Sequence, residues 1–189
     1  AKIAAERQSG KILADIIWTS EVPDFYNMKK EGMLEQYKTP LFKEVLNPFD
    51  DYDGYFTAAR LGTLGIAINT DKIKTPPAKW EDLFKPEYKG AFGIADPALS
   101  GTAYMSVALL EKQFGWPFFE KLHANGARIG KGSGQVIDDT ASGELGASLA
   151  VDYITYDKIK KGAHIALYYP PELLIAPSPV AIFKGSQNL

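Results

Sequence analysis

The sequence predicts an α/β protein, and three observations lead there. Short apolar runs suited to buried strands alternate almost throughout with segments whose apolar residues fall at helical spacing. Glycine, proline or a Ser/Thr pair marks nearly every change from one to the other. The composition, 46% hydrophobic and 23% charged over 189 residues, is that of a folded globular chain with enough apolar side chains for one large or two small cores. Helices covering a largely parallel sheet are expected from such alternation.

Taken in order, Ile3, Ala4 and Arg7 sit at helical spacing and Gly10 stands where a helix would end. The run ILADIIWTS (12–20) reads as a buried strand. A helix follows, with Ser20 as its cap, Pro23 in its first turn and Gly32 as its stop. Residues 37–53 read as loop with short helical pieces, and Asp50, Asp51 and Asp53 before Gly54 as a turn. YFTAARLGTLGIAINT (55–70) is the longest predicted strand, with bends expected at Gly62 and Gly65. TPPAKWEDLFKPEYKG (75–90) reads as a short helix opened by Thr75 and Pro76. GAFGIADP (90–97) is a buried strand, and GTAYMSVALLEKQFG (101–115) a helix burying Ala103, Val107, Leu110 and Phe114. Gly115 breaks it, and a second helix restarts at Pro117. ARIGKGSG is a strand with a glycine-rich turn, SGQVIDDTASG a short helix and ELGASLAVDY a strand. TYDKIKKG reads as a helix, HIALYYPPE as a strand and PSPVAIFKG as the last one. The opening looks like the end of a helix with no cap before it, and the close like a turn leaving a strand. A piece of something longer is expected.

Several classes of function drop out. The formal net charge of −2 and the lack of a basic block argue against a nucleic-acid surface. With no cysteine, there is no disulfide, thiol nucleophile or Cys-ligated metal. GARIGKGS misses the spacing of a phosphate-binding P-loop, and no serine lies in a GxSxG turn. His123 and His164 lie on polar stretches without a ligand-spaced partner and read as surface residues. No catalytic constellation emerges.

What remains is a repeated layout in which a strand ends, a Ser/Thr/Gly turn follows and a helix begins. It occurs at WTSE, at DPALSGTA and at GKGSGQ. The first turn of a helix has unpaired N–H groups and a partial positive charge, so an anionic oxygen is stabilised there. Ser100, Gly101 and Thr102 offer two hydroxyls and an unhindered backbone at one such point. Ser133 repeats the pattern, as do Thr19 and Ser20. Each is equally readable as an ordinary helix cap.

The segments ADIIWTSEVPDF, LGIAINTDKI, PAKWEDLFKPEYKGAFGIADPALSGTAY, ASGELGASLAVDY and PSPVAIFKGSQN, in that order, resemble the extracytoplasmic solute-binding proteins of ABC importers. The branch is the iron(III) one, which also holds binders of phosphonates and sugar phosphates. The resemblance covers nearly the whole chain. It implies the two-lobe type 2 periplasmic-binding-protein fold, here with an incomplete first lobe: residues 1–60 and 177–189 as its remnant and 61–176 as the second lobe. It further implies a protein that is not an enzyme, that closes its lobes on a small anionic solute outside the cytoplasm, and that delivers this solute to a membrane permease.

By the same resemblance Ser100, Gly101, Thr102 and Ser133 become ligand-binding residues, with Thr19 and Ser20 facing them. Arg60 would hold an anion, while Asp152, Tyr153 and Glu172 would receive hydroxyl or amine groups. Ferric members hold Fe3+ with two adjacent tyrosines, and here Tyr153 and Tyr156 stand two residues apart. A phosphorylated or phosphonate-like organic solute is therefore the favoured ligand, with ferric iron the alternative. An enzyme on this scaffold would need Asp152 or Glu172 as its acid or base. A transcription regulator would need a helix-turn-helix that the sequence does not contain.

Overall fold

The structure, a computed structural model, describes residues 2–10, 13–44, 53–186 and 188, and of residue 58 the backbone alone. The chain forms two compact units: residues 1–61 with 177–189, and residues 62–176. The chain passes from one to the other inside two long strands, β2 (Thr57–Asn69) on the way out and β7 (Leu174–Ile182) on the way back.

The first unit opens with helix α1 (Lys2–Gln8), which ends as Gly10 takes a φ of 74° and its N–H bonds to the Arg7 carbonyl at 2.9 Å. Strand β1 (Ile16–Trp18) pairs antiparallel with β7, Ile17 opposite Ala181. The expectation of a buried first strand is corrected here. Ile16 and Trp18 are more than half exposed, since β1 is short and β7 is the one strand it pairs with among the described residues. Helix α2 (Val22–Lys30) follows, and Phe25 and Met28, three apart on one face, bury themselves with Leu34, Phe56, Ala181 and Phe183. Residues 37–44 are irregular or turn; residues 45–52 of the segment expected to be loop, Asp50 and Asp51 among them, lie outside the described residues.

The second unit holds a sheet ordered β6 (Ile165–Tyr168), β2, β5 (Ala147–Val151), β3 (Phe92–Ala95), β4 (Arg128–Gly130). β3 pairs in parallel with β4 and with β5, while β2 runs antiparallel to both β5 and β6. The largely parallel sheet that alternation suggests is thus a mixed one, because β2 lies between β5 and β6 and separates two strands that a helix connects. At Gly65 an added Cβ would stand 2.4 Å from the Tyr168 carbonyl oxygen, so this glycine serves a close strand approach.

The stretch after Pro76 forms two 3-10 turns, Trp80–Phe84 and Pro86–Tyr88, and starts later than the Thr75–Pro76 signal predicts. Asp82 sets the start, its Oδ2 accepting from the Ala78 and Lys79 amides at 2.7 and 3.2 Å. Pro86 has no N–H and divides the run. Helices α3 (Gly101–Phe114), α4 (Trp116–Ala124), α5 (Ser133–Ser142) and α6 (Asp152–Lys160) pack around the sheet. Of the expected apolar face of α3, Ala103 and Leu110 are buried, Val107 and Phe114 pack half-buried against the core, and Ser106 joins them. Ser106 is fully buried because its hydroxyl donates back to the Ala103 carbonyl at 2.8 Å. Among the described residues no helix is long and apolar enough to cross a membrane.

Candidate functional site

Strands β3 and β4 lie side by side with Ala95 opposite Gly130, so the turns that leave them begin level with each other. The Asp96 amide ties the two turns together by donating to the Gly130 carbonyl at 2.7 Å. Asp96 then shapes its own turn, its Oδ1 accepting from the Ala98 amide and its carbonyl from the Ser100 amide. Ser100 is left in extended backbone as the cap of α3, its Oγ accepting from the Ala103 amide at 3.3 Å. Gly101 and Thr102 are the first two residues of that helix.

On the neighbouring turn, Gly132 precedes α5 and Ser133 is its first residue. The two hydroxyls meet, Ser100 Oγ lying 2.9 Å from Ser133 Oγ. Two helix beginnings are thereby brought to one place. Below them Ala95, Ala103, Val136 and Leu145 form a small core of their own. A side chain at Gly130 would press to within 2.6 Å of Val136 Cγ1, so glycine is what lets α5 start so close to β4.

The proton count of this pair has a direct consequence. Each hydroxyl has one hydrogen, and a single bond between them uses one of the two. Whichever serine donates, one hydroxyl hydrogen remains to be given to an acceptor. Together with unpaired N–H groups in each first turn, the site is rich in donors and suits an anionic oxygen.

A second group lies near the start of α6. Both carboxylate oxygens of Asp152 already accept backbone amides, Thr63 at 3.1 Å and Tyr153 at 2.7 Å. Tyr169 gathers near Tyr156: burial, the hydrogen bond with Tyr156 and the negative charges of the Tyr156 phenolate and Asp152 push its phenol well above the ordinary tyrosine value. Glu172 gives its carbonyl to the Trp80 indole N–H at 3.1 Å, while its Oε2 is enclosed with no hydrogen-bond partner among the described residues.

In the first unit the predicted residues have neighbours of their own. Ser20 does not cap α2. Its Oγ lies 2.8 Å from Ser178 Oγ inside the unit, and Glu21 takes the cap position without a side-chain hydrogen bond. The Thr19 hydroxyl donates to Glu21 Oε2 at 2.6 Å, which places a carboxylate where an anion was expected. Arg60 lies with its guanidinium carbon 5.3 Å from the centre of the Trp18 ring. It borders a mainly apolar cavity of about 670 Å³, lined also by Tyr37, Leu41, Phe56, Val180 and Ile182. Thr19 and Ser20 do not line that cavity.

Sequence reading missed Ser178, Tyr169 and Gln135. The first two have no local signature. Gln135 has one, as the third residue of a helix whose cap is glycine. Among the described residues no group of three or more His, Cys, Asp or Glu side chains could hold a metal ion.

The mixed α/β architecture matches that of the type 2 periplasmic binding proteins. The chain belongs to the bacterial extracellular solute-binding protein family, whose profile matches residues 11–189. It is similar to the periplasmic binding protein AfuA of Actinobacillus pleuropneumoniae, solved with fructose 6-phosphate bound, at 28% identity and a TM-score of 0.88. That match covers all of this chain and 63% of AfuA. A phosphoglycerate transport regulatory protein of Salmonella typhimurium is 27% identical over 139 residues, 69% of this chain and 35% of that protein. Iron-bound HitA of Pseudomonas aeruginosa shares the fold, with a TM-score of 0.79 at 24% identity over 99% of this chain and 63% of HitA. The chain therefore spans under two thirds of the length of these relatives.

Proposed function

We propose that this chain is part of the solute-capturing component of an ABC importer, working outside the cytoplasm and delivering a small anionic organic solute to a membrane permease. A phosphorylated or phosphonate-like solute fits best, with its anionic group at the Ser100–Ser133 pair. The observation that carries this reading is the 2.9 Å contact of those two hydroxyls at adjoining helix starts. The likeness to a fructose 6-phosphate complex supports it. Binding proceeds without chemistry, and Asp152, one of the two residues an enzyme here would need, is already engaged by two backbone amides.

The test is calorimetric titration of the full-length protein with fructose 6-phosphate, fructose and inorganic phosphate. Affinity for the ester above that for the free sugar is expected. Ser133→Ala should weaken it by roughly ten- to a hundredfold, the worth of one hydrogen bond to a charged group. Equal affinity for ester and free sugar would overturn the anion site, and conversion of the ester to product would overturn the binding-only role.

Ferric iron is a second reading, favoured by the meeting of the Tyr156 and Tyr169 phenols close to Asp152. A visible phenolate-to-iron absorption band on adding ferric citrate, lost in Tyr156→Phe, is its expected signature. A colourless mixture would exclude it.

A further inference from the structure

Helix α5 begins with half of a capping arrangement. In a full capping box the cap side chain accepts from the third helical amide, and the third side chain accepts from the backbone N–H of the cap residue; at α5 the third side chain reaches one residue further back. At α5 the cap is Gly132 and has no side chain to offer. The third residue is Gln135, and its Oε1 accepts the Lys131 amide at 3.0 Å. The half that fixes the approach of the chain is present, and the half that would cover the first amides of the helix is missing.

This division matters because the approach is GKG. Gly130 and Gly132 flank Lys131, and glycines leave a turn wide conformational freedom. The Gln135 bond closes the turn across Lys131 and Gly132, directly before Ser133. Its chemistry is also selective. Glutamate would hold the same amide but would bring a negative charge to the start of the helix, against any anion there. A glutamine supplies the acceptor without the charge.

We propose that Gln135 is a positioning residue for anion binding. It holds the Lys131–Ser133 turn so that Ser133 Oγ stays against Ser100 Oγ and the open amides of α5 await the ligand as their cap. The inference rests on the anion site proposed above. Gln135 acts through Ser133 and does not itself touch the solute.

Three forms of the full-length protein test it, titrated with fructose 6-phosphate at low and high salt. Gln135→Met keeps the length and loses the acceptor. It should bind roughly three- to tenfold more weakly at either salt, the worth of one neutral hydrogen bond. Its melting temperature should fall by about 2–4 °C, the scale of one such bond in a chain of this size, and the Lys131 amide should exchange faster without ligand. Gln135→Glu restores the acceptor and adds a charge, so it should bind weakly at low salt and approach the unaltered protein at high salt, where the repulsion is screened. A Met variant that binds like the unaltered protein overturns the role of Gln135 while leaving the anion site standing. A Glu variant that stays as weak as Met at high salt overturns it too. An unaltered protein that ignores the ester overturns the anion site itself, and this inference with it.

Discussion

Tyr88 shows how one side chain can join two elements. Its ring is almost wholly buried in the core of the second unit, and its hydroxyl donates to the Thr75 carbonyl at 3.1 Å. Burial, with the negative charges of Glu87, Asp82 and the Tyr168 phenolate, raises its phenol to about 12. Phenol is neutral when protonated, so the contribution of this group to stability is complete below the unfolded value near 10. It is lost as pH rises from there toward 12. Tyr88→Phe should lower stability at neutral pH by about 1 kcal/mol, as expected for one internal hydrogen bond. The variant should also lose stability less steeply than the unaltered protein between pH 10 and 12. Urea unfolding across that range checks both, and an unchanged slope would free Tyr88 of the role. At this scale the sequence was legible for Ser100, whose cap depends on neighbours within three residues. It was silent for Ser20, because the Ser178 that claims it lies far along the chain and no local pattern marks the pair.

At the scale of elements, glycines decide how closely strands approach. Gly65 sits where β2 meets β6, and a Cβ there would overlap a backbone oxygen that cannot turn aside. Gly65→Ala should cost about 1–3 kcal/mol, the range for forcing extra atoms into a packed interior, with amide exchange rising along β2 and β6. Ordinary exchange in that variant would show that the two strands can shift apart. Long elements such as α3 and the weakly alternating β2 were readable, since their signal is summed over many residues. The mixed direction of the sheet was not, because alternation of strand and helix says nothing about which strand pairs with which. Nor was the 3-10 character of residues 80–88, where Asp82 and Pro86 override a helical spacing of Trp80, Leu83 and Phe84. The paired helix starts were half legible. Each turn was visible by itself, and the contact of Ser100 with Ser133 came only from the parallel register of β3 and β4.

At the scale of the molecule, each unit has a separate core. Phe25 is completely enclosed in that of the first, 5.5 Å from the Phe56 ring. Phe25→Ala should destabilise that unit by about 3–5 kcal/mol while residues 62–176 keep their protection against amide exchange. Equal loss of protection in both units would show that they unfold as one.

Because the first unit is built from two separated stretches of the chain, it has an order of birth. Residues 62–176 are contiguous and can close their core as soon as they have been made. Ile16, Ile17 and Trp18 must wait for Val180, Ala181 and Ile182, their partners in β7. At about 5–20 residues per second on a ribosome, that wait is roughly 8–33 s. For that interval Phe25 and Met28 lack the Ala181 and Phe183 they finally pack with. Until β7 exists, the apolar face of α2 stays open to other contacts, whereas the second unit closes its core from one contiguous stretch.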